Sequence, residues 1–170
     1  GCLATRELID RGCKNILVMT SRKPISVYMD RFEGYVRALT QKGLDASHIH
    51  VSYLDGLHYQ DAYDEMVRML DAGGFSYDGI FACSDWLALG CYKALAERGY
   101  RIPEQVKIAG FDDISITAFN AVPITTVRQQ VDIIGRLAAE QLLRSLDGED
   151  APAEPIRVPV ELVPRESTRG

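Results

Sequence analysis

The chain is short of the residues that would announce a simple chemistry. It has one tryptophan, three histidines and four cysteines among 170 residues. A surface that binds nucleic acid needs gathered Lys and Arg. Here 19 basic residues face 24 acidic ones, the net charge is −5, and the densest basic spot is Arg22-Lys23. No apolar run approaches the ~20 residues that cross a bilayer. The opening Gly1 to Arg6 lacks the charged-then-apolar order of a secretory leader. Cys2, Cys13, Cys83 and Cys91 have no short zinc or redox spacing, so they are expected as buried free thiols in a reducing cytoplasm. His48 and His50 sit near a strand start. His58 with Asp61 is two ligands short of a structural zinc site, so neither a metal site nor a cofactor is expected.

What is present is an alternation. Asn15 to Met19, Ile49 to Tyr53, Asp78 to Cys83 and Val106 to Ala109 are short apolar runs read as strands. Residues 3–11, 28–42, 59–72 and 85–98 carry apolar positions at helical spacing, and each stretch stops at glycine. Strands joined by helices imply right-handed crossovers and an open parallel sheet with helices on both faces. The strands show little polar alternation, as a sheet covered on both faces requires. After residue 113 the rhythm breaks. Residues 114–121 are irregular, and Pro123 to Val127 is extended. Residues 129–146 form a longer amphipathic helix, 148–155 a turn-rich connection, and 156–163 a strand. The first residue is not Met and helical spacing begins at once, so the sequence reads as a piece of something longer.

The strand ends supply Thr20-Ser21, Leu54-Asp55, Ser84-Asp85 and, after Gly110-Phe111, Asp112-Asp113. In a parallel sheet these emerge on one rim, where ligands bind. Arg31, early in the second helix, can reach it. Carboxylates accept from hydroxyls and Arg donates as a fork, a combination suited to a polyhydroxylated or zwitterionic ligand. Other roles stand beside these. Ser84 or Asp85 has the chemistry of a helix N-cap, Asp113 could cap the turn that follows it, Arg31 could be an ordinary solvated residue, and Trp86 could be simple packing. An enzymatic reading would use Asp112 and Asp113, with Asp55 or Asp85, to hold Mg²⁺. No glycine-rich phosphate loop or Gly-x-Ser-x-Gly elbow accompanies them.

Several segments are recognisable together: Ser84-Asp85-Trp86-Leu87-Ala88-Leu89-Gly90, Ile102-Pro103-Glu104-Gln105-Val106, Gly110-Phe111-Asp112-Asp113 and Ile124-Thr125-Thr126-Val127-Arg128-Gln129. With Arg31-Phe32-Glu33-Gly34-Tyr35 and the closing 161–167, the chain resembles the LacI/GalR family of bacterial transcriptional regulators along essentially its whole length. The resemblance implies a periplasmic-binding-protein-like effector domain of two lobes, with a small molecule between them and operator DNA read by an N-terminal helix-turn-helix that is absent here. Residues 1–127 would form the C-terminal lobe, 128–150 a helix of an otherwise missing N-terminal lobe, and 151–170 the return and tail. Arg31 and Asp112 match the family's principal effector contacts, and Ser84 a frequent one. Ser21 lies on the same rim. Leu57 stands where many members place a stacking aromatic. Dimerisation through the regulatory domain is implied, with Leu89, Ile116 and Asn120 as the expected contact. The expected function is non-catalytic, cytoplasmic effector sensing of a sugar-like ligand. A secreted sugar-transport protein of the same fold and a Mg²⁺-dependent enzyme are the alternatives.

Overall fold

The computed structural model describes residues 1–148 and 154–169. Four parallel strands form one sheet in the order β2-β1-β3-β4: β1 (Ile16–Ser21), β2 (His50–Leu54), β3 (Gly79–Ala82) and β4 (Lys107–Ala109). All six residues of β1 are buried. The period of two sends Ile16 and Val18 to one face and Leu17 and Met19 to the other, and helices cover both faces.

On one face α1 (Cys2–Asp10) and α2 (Ser26–Gln41) bury Ala4, Leu8, Tyr35 and Leu39 against Val18, Phe81 and Ala109. On the other, α3 (Tyr59–Asp71) and α4 (Asp85–Glu97) bury Met66, Leu87, Cys91 and Leu95 against Leu17, Met19, Ile80 and Ile108. The four thiols are free, three of them buried. At Gly90 α4 lies directly against α3: a Cβ there would stand 2.4 Å from the Tyr59 carbonyl oxygen and 2.9 Å from Ala62 Cβ. Backbone cannot yield as a flexible side chain can. Gly90→Ala should therefore destabilise the fold by about 1–3 kcal/mol despite alanine's better helix propensity, which a urea midpoint measures.

Beyond β4 the chain makes the two-stranded antiparallel pair β5 (Thr126–Arg128) and β6 (Glu161–Val163), joined to the main sheet by parallel bridges Ala109–Thr125 and Asp112–Arg128. The strand expected over 156–163 shrinks to its last three residues. Pro159, with no N–H to donate, stands in the stretch before them. Residues 115–118, in the segment expected to be irregular, form a short 3₁₀ turn. The expected connection over 148–155 lies, at 149–153, outside the described residues. α5 (Val131–Leu146) buries none of its residues, and Val131, Leu142, Leu143 and Leu146 are all exposed. A helix with an apolar stripe and no sheet beneath it is what an incomplete second lobe looks like.

The tail folds back onto β4 and β5. Ser167 Oγ donates to the Ile108 carbonyl (2.6 Å) and accepts from Thr125 N–H (2.8 Å). Thr168 Oγ1 lies 2.8 Å from Thr125 Oγ1 and donates to Glu7 on α1 (3.1 Å). Ser167 and Thr168 are fully buried.

Candidate functional site

The carboxyl ends of β1, β3 and β4 bring Arg31 and Asp112 together across 81 positions of sequence. Arg31 Nη2 donates to Asp112 Oδ1 at 2.8 Å, and Nη1 donates to the Cys83 carbonyl at 2.6 Å, with a longer 3.5 Å approach to Asp112 Oδ2. The guanidinium lies 3.9 Å from the centroid of the Phe111 ring and 5.6 Å from that of Tyr28. A cation between aromatic faces in a desolvated setting gains from both rings. Arg31 is only 9% exposed, so the solvated alternative is excluded. Gln129 Nε2 donates to Asp112 Oδ1 at 2.9 Å. Oδ1 thus carries two good hydrogen bonds and Oδ2 only a long one. The less satisfied oxygen can take a ligand hydroxyl, and because the Arg31–Asp112 pair is already neutral, an anion gains little there.

The turn that carries Asp112 is strained. Asp112 has φ +112° and Asp113 has φ +56°, conformations that cost roughly 1–3 kcal/mol each for a residue with a Cβ. The surroundings hold it in place. Asp113 does not cap the following 3₁₀ turn, whose first flanking residue is Ile114 with no side-chain cap. It is held instead between Arg128 of β5 and Arg165 of the tail. Arg165 also donates to Thr117 Oγ1 and the Ile124 carbonyl, each at 2.9 Å. Asp85, read as one of two possible caps, is fully buried behind the turn. Burial pushes its carboxyl up to about 7, against hydrogen bonds from Thr126 and the Ile114 N–H that favour the charged form.

Ser84 is the cap of α4: its Oγ accepts from Leu87 N–H at 3.4 Å, and the residue is buried. Ser21 is also buried, accepts from Lys23 N–H at 3.0 Å, and lines a neighbouring hollow of about 430 Å³ with Thr20, Tyr28, Phe32 and Tyr53. Tyr28 connects that hollow to Arg31. A second hollow of about 230 Å³ lies between Asp112, Gln129 and the start of α5. Leu57 is half-buried against the core on the α3–α4 side. Asp55 pairs with Arg22 at the surface (2.9 Å). Among the described residues no group of three His, Cys, Asp or Glu could hold a metal ion.

Leu89, Ile116 and Asn120 do come together. With Tyr59, Trp86, Tyr92 and Lys93 they line a shallow, mostly apolar hollow of about 260 Å³. Trp86 is 49% exposed there, not core packing, and nearby in sequence Phe119 is 85% exposed. Phe111, Tyr28 and Gln129 were not singled out from sequence. Gln129 stands in a recognisable segment, but its reach to Asp112 depends on the β5 register.

A four-stranded parallel sheet covered by helices on both faces, with polar side chains gathered at its carboxyl rim, has the architecture of a periplasmic-binding-protein-like domain. Residues 5–168 match the periplasmic binding protein-like domain family, and the chain belongs to it. Its relatives place it with the LacI-type regulators. It is 30% identical over 169 residues to the transcriptional repressor PurR of Mannheimia succiniciproducens, covering 99% of this chain and 50% of that protein. A LacI-family regulator from Enterococcus faecium with bound ribose superposes with TM-score 0.85 at 30% identity, over 97% of this chain and 60% of that one. The regulator CelR in complex with cellobiose gives TM-score 0.86 at 31% identity, over 96% and 50%. The chain spans about half the length of the curated relatives it matches.

Proposed function

We propose that this chain is the ligand-sensing part of a LacI-type transcriptional regulator. It binds a neutral, hydroxylated effector at the Arg31–Asp112 rim and performs no catalysis. The Arg31–Asp112–Gln129 constellation carries this reading: an already neutralised ion pair, its arginine buried and its carboxylate part-exposed, with one carboxylate oxygen left to accept a hydroxyl. Ribose and cellobiose in two neighbours agree with that chemistry. Residues 1–127 and the tail form one lobe, and α5 belongs to a second lobe that closes over the rim. The bound effector would shift the lobe equilibrium and, through it, operator binding by a helix-turn-helix carried elsewhere in the polypeptide. It does so only by its differential affinity for the two states. No described helix is long and apolar enough to cross a membrane, and a regulator of this kind works in the cytoplasm.

A thermal-shift panel of neutral sugars, nucleosides and phosphorylated sugars tests the reading. At a hundredfold excess over Kd a true effector adds about 2.7 kcal/mol. A sugar-induced rise in Tm that falls by at least about half in Asp112→Ala at the same sugar concentration is expected. Stabilisation by phosphorylated compounds alone would reject a neutral ligand.

The hollow around Leu89, Ile116 and Asn120 is proposed as the contact of a symmetric homodimer, since an exposed apolar patch rimmed by polar groups marks a partner surface. Sedimentation across a concentration series should show self-association that weakens in Phe119→Asp. A strict monomer at high micromolar concentration rejects it.

A further inference from the structure

We infer that Asp85 is a positioning residue for the effector site: its carboxylate fastens the turn from Phe111 to Ile114, fixes Asp112 in place, and loosens that turn when it takes up a proton. The geometry is a clasp on three sides. Asp85 N–H donates to the Phe111 carbonyl (2.7 Å), Asp85 Oδ2 accepts from Ile114 N–H (2.9 Å), and Asp85 Oδ1 accepts from Thr126 Oγ1 (2.7 Å). These contacts reach the turn just before and just after its two positive-φ aspartates, and the strand on its other side. Gly110 closes the space. A Cβ there would stand 2.2 Å from Asp85 Oδ1, so the carboxylate and the chain entering the turn are in direct contact.

No cation reaches this carboxylate among the described residues. The charged groups around it are all engaged with its neighbours. Arg31 of α2 binds Asp112, while Arg128 of β5 and Arg165 of the tail bind Asp113. Asp112 and Asp113 themselves disfavour a further negative charge at Asp85. Two neutral donors hold the charge, and ionisation falls near neutral pH. A proton from solvent would sit on one of the two oxygens that now accept. Either Ile114 N–H loses its acceptor, or the Thr126 hydroxyl must turn round to accept, although it already accepts from Asp113 N–H (3.3 Å). Both changes act on the residues that flank Asp112.

The site and the fold then respond to acid in opposite senses. The folded-state value is raised above that of an unfolded aspartate. Asp85's contribution to stability is therefore present at low pH and lost as pH rises through about 7. The grip on the turn needs the ionised form and is lost as pH falls through the same point. A residue that only supported the fold would not show the second response.

This inference rests on Asp112 being an effector ligand, but its test needs no ligand, so the two can fail separately. In the ¹⁵N-labelled 170-residue chain, the Ile114 amide is followed between about pH 5.5 and 8.5 together with the Gln129 side-chain amide and Arg31 Nε–H. All three should titrate with one midpoint near 7. In Asp85→Asn, which has no group to ionise, they should stay flat over that range. Thr126→Val removes a hydrogen bond that favours the charged form and should move the midpoint upward. An Ile114 amide that does not titrate in the wild-type chain would overturn the inference. So would an Ile114 titration that leaves Arg31 and Gln129 unmoved, because Asp85 would then bind the turn without positioning Asp112.

Discussion

Replacing Arg31 with alanine should weaken effector binding by roughly 10–150-fold, the equivalent of about 1.5–3 kcal/mol for a lost charge-assisted contact. Asp112→Ala should cost about as much, because each residue fixes the other: without Arg31 the carboxylate loses its 2.8 Å partner, and without Asp112 the guanidinium keeps only the Cys83 carbonyl and its two rings. Arg31→Lys is the sharper control. It keeps the charge and loses the fork, which joins the ends of two strands. Binding close to that of alanine would show that geometry and not charge is needed. Calorimetric titration with the sugar that raises Tm most decides the matter, and unchanged affinity in both alanine variants would remove the site from this rim.

The second large effect belongs to stability. Arg165→Ala should cost about 3–5 kcal/mol, because it strips Asp113 of its better shielded partner, only 14% exposed at the side chain, and leaves Arg128, an exposed residue, as the remaining cation. It also leaves Thr117 Oγ1 and the Ile124 carbonyl without their donor. For a chain of this size each kcal/mol lowers Tm by about 2–4 °C, so a drop of roughly 6–20 °C is expected. A double-mutant cycle with Asp113→Ala isolates the pair: the two losses should be far from additive. A loss below about 1 kcal/mol, the worth of a surface pair, would mean that water screens the network.

The helices and strands of the parallel sheet were legible because β1 and β3 are apolar on both faces and the helices between them end at glycines. That is local information. The site was legible only in part, and its parts differ in kind. Arg31 and Asp112 could each be placed on a rim from strand ends, and the resemblance matched each to a ligand-contact position, but their pairing with one another spans 81 residues and nothing in the sequence pointed to it. Asp113 was open to misreading as a cap because its real partner, Arg165, lies 52 positions later on a tail whose path no periodicity reveals. Asp85 hides in a pattern that looks complete without it. A serine followed by an acidic residue at a helix start satisfies the capping rule, and nothing local says that the second carboxyl points inward. The short β6 shows the opposite failure: an alternating apolar run looked like a strand until Pro159 interrupted its ladder.

The tail's hydroxyl contacts with β4, β5 and α1 bear on how the protein is made. During translation the helices and the first four strands leave the ribosome well before Ser167 and Thr168 do. Until then the Ile108 carbonyl and the Thr125 amide lack their partner, and β5 lacks the strand it pairs with. Open strand edges recruit other strands. The nascent chain therefore passes through an interval in which it is most prone to aggregate, and that interval closes only when residues 161–169 arrive. Slow codons shortly before this segment would prolong the exposure, and a chaperone that shelters the β5 edge would be most useful there.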